Sequence, residues 1–375
     1  MSQKQSPTVQ VLIASTLKPV RDVRAFEKLA LSLGETSKYR LNIIGFSDEK
    51  PADEGKYRFF SSMSHFGSKL DRLLAQFRFL SKLIQIRPKL LICCTYEYLP
   101  ISSLLKPVIG YKLVYDVQEN YVKNLELNPE LSSGFKKLGR WCIRKAEGVK
   151  GIDLYLLAES CYQDEMPEKL PFLLLENKYQ GPIRPTLPRK LIPTDPLRFC
   201  ITGTLTPAYG TKEGLTWFQE LLKSYPHFQL TIIGHCPLVK YRKELERLTR
   251  DFHQVSIQLS PQPIAYKAIE QVLFASDIVL LPYQNRPEFE AKLPTKLYEC
   301  AALGIPVFMT PNPKWEDFFN VYQGGYSIDF GEMSNADQTF QQAISQTYFS
   351  TPVNEGVLWK SQKLLFQQAI QNLVS

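Results

Sequence analysis

The chain has 375 residues, 44% hydrophobic and 22% charged, the balance of a globular protein too long for one typical core, so two domains are expected. No stretch approaches the roughly 20 apolar residues of a membrane-spanning helix, and Met1–Pro7 lacks the apolar run of a secretory leader. The net charge of +8 comes from one half: residues 1–185 hold 28 basic and 20 acidic groups, residues 186–375 hold 17 of each, so an anionic neighbour is expected for the first half alone.

Seven cysteines without paired spacing read as buried thiols in a reducing cytosol, neither a disulfide frame nor a zinc site. In chain order, the first half offers strand-like runs at 9–15, 40–46, 89–95, 111–117, 153–160 and 172–177. They are nearly continuous in hydrophobicity, as strands buried on both faces of a parallel sheet should be. Helical periodicity fills 22–34, 66–86 and 133–148 between them, which predicts a doubly wound α/β domain over 1–180.

Between Lys56 and Lys89 lie eight basic residues and one aspartate. The helix predicted at 66–84 carries Phe66, Leu70, Leu73, Leu74, Phe77, Leu80, Leu83 and Ile84 on or near one face. Such a stripe either packs on the sheet or, being amphipathic and basic, lies on a membrane surface. Nucleic acid is not expected as a partner, because the aromatics sit in apolar runs instead of among the basic residues.

"KYQGPIRPTLPRKLIPTDPL" (178–197) has five prolines in twenty residues and reads as a linker, placed at 181–196. A second strand series follows at 197–204, 228–235, 255–260, 277–283, 306–310 and 325–330, giving a second Rossmann-like domain over 197–350. A last helix, at 356–374 within a closing segment 351–375, is expected to cross back to the first domain. Twin domains of this kind usually hold a ligand in the cleft between them.

Several chemistries are excluded. There is no Gly-x-Gly-x-x-Gly after the first strand, no Walker lysine loop, no Gly-x-Ser-x-Gly elbow and no metal-ligand spacing among the four histidines. What remains is in the second half. "CITGTLTPAYGTKEG" (200–214) is a strand–turn–helix that aims backbone N–H groups at the strand ends, where anions bind. "TIIGH" ends a strand at Gly234, and "VLLPY" delivers Tyr283 to the same edge. In "KLPTKLYECAALGIPV" (292–307), Pro294 fits the first helical position, leaving the N–H groups of Thr295, Lys296 and Leu297 for an anion. Glu299 shares the face of Thr295, about 6 Å further along, the separation of a diphosphate from a ribose. A solvated glutamate is the plain alternative.

Together these residues resemble the large family 4 of retaining, nucleotide-sugar-dependent glycosyltransferases of the GT-B fold: two Rossmann-like domains facing across a cleft. "ASDIVLLPY…LPTKLYECAALGIPVFMT" is similar to the family's most recognisable stretch, and "FCITGTLTPAYG…FQLTIIG" to the start of its donor domain. Weaker matches are "STLKPVRDVRAFEKLALSL", an Asp-x-Arg helix after the first strand; "LVYDVQEN", like its Tyr-Asp-x-His-Glu segment; and "FLLLEN".

The resemblance implies that Glu299 binds the donor ribose, that Leu293, Pro294, Thr295 and Lys296 meet the diphosphate and sugar, and that Gly203 and Thr204 line the phosphate turn. It puts Asp116, Gln118 and Glu119 by the acceptor. It further implies a UDP- or GDP-sugar donor, a glycan or lipid-linked acceptor, no metal or other cofactor, and a cytoplasmic setting at the inner face of the membrane. The donor's phosphate would help deprotonate the acceptor.

Three positions depart from the pattern. Ala291 stands where the family has a first glutamate, with Glu290 one residue early. Thr204 and Tyr209 replace the Arg and Lys of the phosphate turn, leaving Lys212, Arg286, Lys292 or Lys296 to neutralise the diphosphate. Gln118 replaces a histidine and cannot carry a proton. They support an alternative, a GT-B scaffold that binds nucleotide, glycan or a partner enzyme without turnover. A sugar-nucleotide epimerase on the same fold is a third reading.

Overall fold

The computed structural model describes residues 9–49, 51–129, 131–184 and 188–375. They form two compact units, Met1–Gln180 with Trp359–Ser375, and Gly181–Leu358. Residues 181–196 count with the second unit, and of these 185–187 lie outside the described residues.

The first unit is built on seven strands: β1 (Val9–Pro19), β2 (Tyr39–Phe46), β3 (Tyr57–Ser61), β4 (Leu90–Cys93), β5 (Lys112–Val117), β6 (Leu154–Leu157) and β7 (Phe172–Leu174). Their order across the sheet is β3-β2-β1-β4-β5-β6-β7, all parallel. Alternation along β1 divides the core: Val11 and Ile13 face one helix layer, Leu12 and Ala14 the other, and all four are fully buried.

On the Val11 side lie Phe26, Leu29 and Leu33 together with Trp359, Phe366 and Ile370, so the final helix, Lys360–Val374, packs on the first unit. Trp359 fixes its start by donating from Nε1 to the Ser32 hydroxyl at 2.9 Å. On the Leu12 side lie the helices Lys69–Ile86 and Leu99–Ile109, with Ser133–Glu147 packed against the second of them and bonded through Glu147 to Tyr115.

Two features differ from the sequence reading. Strand β3 was not foreseen, because it is a short, half-buried edge strand interrupted by the exposed Arg58. The predicted stripe on the 66–84 helix also does not face the sheet as a whole. The helix buries Asp71, Ala75, Phe79 and Leu83, while Leu70, Leu73, Leu74, Phe77 and Ile84 are exposed. Eighteen residues with Leu or Phe on several sides cannot bury them all against one sheet.

The second unit has six parallel strands: β8 (Arg198–Thr204), β9 (Gln229–His235), β10 (Val255–Ser260), β11 (Ile278–Leu281), β12 (Val307–Met309) and β13 (Gly325–Ser327), ordered β10-β9-β8-β11-β12-β13. Chain order reverses between β8 and β11. In open α/β sheets that switch point, at the carboxyl ends of the strands, is where ligands bind. Among the described residues no helix is long and apolar enough to cross a membrane.

Candidate functional site

The loops leaving β8 and β11 meet at this switch point. Gly203 and Gly234 are cross-strand partners, and a Cβ on Gly234 would stand 2.0 Å from the Gly203 carbonyl oxygen. Only glycine permits that approach. Gly203 itself has φ +115, with open space where a side chain would project. After a single 3-10 turn, Pro207–Tyr209, Gly210 adopts φ +61 to enter the helix Thr211–Leu221. A Cβ there would strike the Pro282 carbonyl at 1.6 Å, and Gln284 donates its N–H to the Ala208 carbonyl at 3.0 Å. The turn after β8 and the loop after β11 are thus stitched together backbone to backbone.

The loop is held from its far side as well. Asn312, Lys314 and Trp315 donate to the carbonyls of Glu290, Ala291 and Lys292 at 3.3, 2.6 and 2.7 Å. Tyr283 packs edge-on against Tyr209 and Trp315 and, tilted, against Phe289. Tyr209, at the position of the resembled family's lysine, therefore contributes packing at the turn. Phe289 belongs to a short helix, Pro287–Glu290, on which Glu290 is exposed.

The quoted helix runs Thr295–Leu303, and here the structure corrects the sequence. Pro294 is the N-cap residue, with extended geometry (φ −55, ψ 138), and the Leu297 N–H is taken by the Pro294 carbonyl at 2.9 Å. Leu293 is buried below the cap. Glu299 is not a solvated glutamate. It is 4% exposed, and its Oε2 accepts from Lys296 Nζ at 2.8 Å. Burial pushes the Lys296 ammonium down, but the charge and hydrogen bond of Glu299 outweigh that and leave it raised. Burial also holds the neighbouring Cys300 thiol well above its ordinary range.

Of the other expected cations, Lys212 is engaged with Glu244 at 2.5 Å, and its backbone N–H donates to the Tyr241 hydroxyl. Arg286 donates to Gln284, which donates in turn to Glu213 Oε1. Glu213 Oε2 and the Thr202 hydroxyl are buried without a partner, and neither residue was singled out in the sequence.

In the first unit, Asp116 is fully buried in β5. Arg24 clasps it with Nε at 2.9 and 3.0 Å and Nη2 at 2.7 Å, and passes Nη1 to the Leu175 carbonyl at 2.8 Å. Burial pushes the guanidinium down, and Asp116 more than restores it. Gln118 donates to Asp116 Oδ2 at 2.8 Å, while Glu119 accepts from Lys18 and Asn124 at 2.8 and 2.7 Å. Buried Lys28 reaches Asn177. Arg24, Lys28 and Lys18 were missed as individual residues. The Asp-x-Arg spacing signalled Arg24 alone, with Asp22 capping the helix that carries it.

Residues 184–352 match the family described as glycosyl transferases group 1. No curated protein matches the chain. Solved structures with the same fold include sucrose-phosphate synthase from Thermosynechococcus elongatus, 10% identical with a TM-score of 0.66, covering 97% of this chain and 99% of that one. Anabaena HepE in complex with UDP-glucose is 12% identical with a TM-score of 0.60, covering 97% and 98%. UDP-GlcNAc 2-epimerase from Neisseria meningitidis bound to UDP-GlcNAc is 13% identical with a TM-score of 0.58, covering 97% and 100%. At these identities the likeness establishes the two-domain GT-B fold, which transferases and an epimerase share.

Proposed function

We propose that the protein, whose residues 184–352 match the glycosyl transferases group 1 family, moves a sugar from a UDP- or GDP-sugar to a glycan or lipid-linked acceptor, with retention of configuration, in cell-envelope polysaccharide synthesis at the cytoplasmic face of the membrane. The observation that carries this reading is Glu299: a carboxylate 4% exposed, in the second turn of a helix whose approach loop is tethered by three side chains. A hydrogen-bond acceptor buried at a switch point suits a ribose, and the helix start beside it suits a diphosphate.

In this reading Arg286, Lys292 and the helix dipole stand in for a divalent cation, and a donor phosphate oxygen takes the acceptor's proton. Asp116 acts as a positioning residue, since its oxygens are engaged by Arg24 and Gln118. The family match over 184–352 favours transfer over epimerisation. One observation supports the non-catalytic alternative: Tyr209 is packed against Tyr283 where a cation is expected.

Calorimetry with UDP, GDP and ADP tests the donor site. Glu299→Gln is the right variant, because it keeps an acceptor beside Lys296. One nucleotide is expected to bind, weakened by about 1–3 kcal/mol in Glu299→Gln. No binding at millimolar concentration by the folded wild type overturns the reading.

A further inference from the structure

The helix Ser133–Glu147 is poorly anchored for its length: of its fifteen residues only Ile143 is buried. Phe135, Leu138 and Trp141 recur every third residue, 59%, 58% and 59% exposed. Residues three apart share one side of a helix. Beside it, the helix Leu99–Ile109 exposes Leu104 and Val108. The helix Lys69–Ile86 and the helix Ser133–Glu147 both pack on the turn Tyr96–Tyr98 that opens the middle helix, so the three form one continuous layer.

Basic residues outnumber acidic ones on this layer. The three helices hold ten Lys and Arg and two acids, Asp71 and Glu147. Both acids turn inward: Asp71 to the Ser64 and His65 backbone and Arg78, Glu147 to Tyr115 and Lys169. Arg72 pairs with Glu97, Lys106 with Asp153, and Lys136 and Arg140 with Glu126, whereas Lys69, Lys137, Arg144 and Lys145 are exposed.

Large exposed apolar groups, including a tryptophan, interleaved with unopposed cations are what an anionic bilayer surface accommodates. The apolar side chains enter the acyl boundary while the cations meet the lipid headgroups. A protein partner would need a comparably wide acidic face to match. We infer that the outer face of the three helices 69–86, 99–109 and 133–147 is a docking surface for an anionic lipid bilayer, with Phe135, Leu138 and Trp141 at its centre. The inference stands on this surface and not on the donor site, so lipid binding without nucleotide tests it alone.

Trp141 supplies the probe. Of the four tryptophans, Trp217, Trp315 and Trp359 are at most 1% exposed, so a lipid-induced blue shift in emission reports on Trp141. The full chain is expected to co-sediment with phosphatidylcholine vesicles containing about a third phosphatidylglycerol, to release as salt rises, and to ignore pure phosphatidylcholine. Leu138→Glu should weaken the partition about tenfold or more. Lys137→Glu with Lys145→Glu should weaken it roughly fivefold per charge, with circular dichroism unchanged in each variant. Absence of both co-sedimentation and blue shift overturns the proposal. So does a wild-type dimer that Leu138→Glu converts to monomer by sedimentation velocity, since a second copy would then cover this face.

Discussion

Each unit buries an ion pair among the residues proposed for the site, Arg24–Asp116 in the first and Lys296–Glu299 in the second, and the two pairs are built differently. Arg24 and Asp116 are 92 residues apart in the chain, and both are almost fully buried. The guanidinium fork makes three bonds to the carboxylate and a fourth to a carbonyl beyond β7. That geometry sews the helix after β1 to β5 and to the segment after β7, and leaves little freedom. Lys296 and Glu299 are three residues apart on one helix and share a single bond to Oε2. A lysine on a flexible stem can turn from its carboxylate to a phosphate. The first pair joins three segments distant in the chain, whereas the second lies within one helix and rests on a single bond.

The strongest way to break this comparison is Asp116→Ala. It leaves the buried Arg24 unpaired and should cost about 3–5 kcal/mol in the first unit, read as a lowered urea midpoint. Nucleotide affinity of the molecules that remain folded should be unchanged. Lys296→Met sharpens the other side. It strands Glu299 in a buried site and should cost about 3 kcal/mol. Adding Glu299→Gln should recover much of that stability without recovering nucleotide binding, a coupling that a double-mutant cycle measures directly. Were the double variant to bind nucleotide like wild type, the Glu299 pair would be structural in the same sense as the Arg24 pair.

The contrast also explains what could be read in the chain. Parallel strands such as β9 and β11 announce themselves because burial on both faces makes them continuous apolar runs, and β10 runs over the residues predicted for it. Two Rossmann-like domains follow from that series and its repetition after the proline-rich stretch, and the GT-B reading from the family resemblance of the motifs. β3 escaped because an edge strand needs no such run. The place of Glu299 on the helix was legible from helical spacing, since Thr295 and Glu299, four apart, share a face. Its pairing with Lys296 was not, because a sequence does not tell an exposed i, i+3 pair from a buried one. The clasp on Asp116 lies beyond any local pattern, since only the folded sheet brings β5 to the helix after β1. Pro294 was misplaced by one position, a shift that turned an expected free N–H at Leu297 into a capping bond.

The smallest effect is the most discriminating one for the donor reading. Lys212 and Glu244 form a partly exposed pair, with side chains 46% and 35% accessible. Such pairs contribute less than about 1 kcal/mol, so Lys212→Ala should barely move the urea midpoint. If Lys212 stays with Glu244, nucleotide affinity should also hold within about twofold, as expected for a lysine that makes no charge-assisted bond to the ligand. Arg286→Ala should then be the weaker binder of the two, because Arg286 stands on the loop stitched to the turn after β8. The reverse ranking in calorimetry would mean that the diphosphate draws Lys212 away from Glu244, and would move the anion site from the start of the helix Thr295–Leu303 toward the start of the helix Thr211–Leu221.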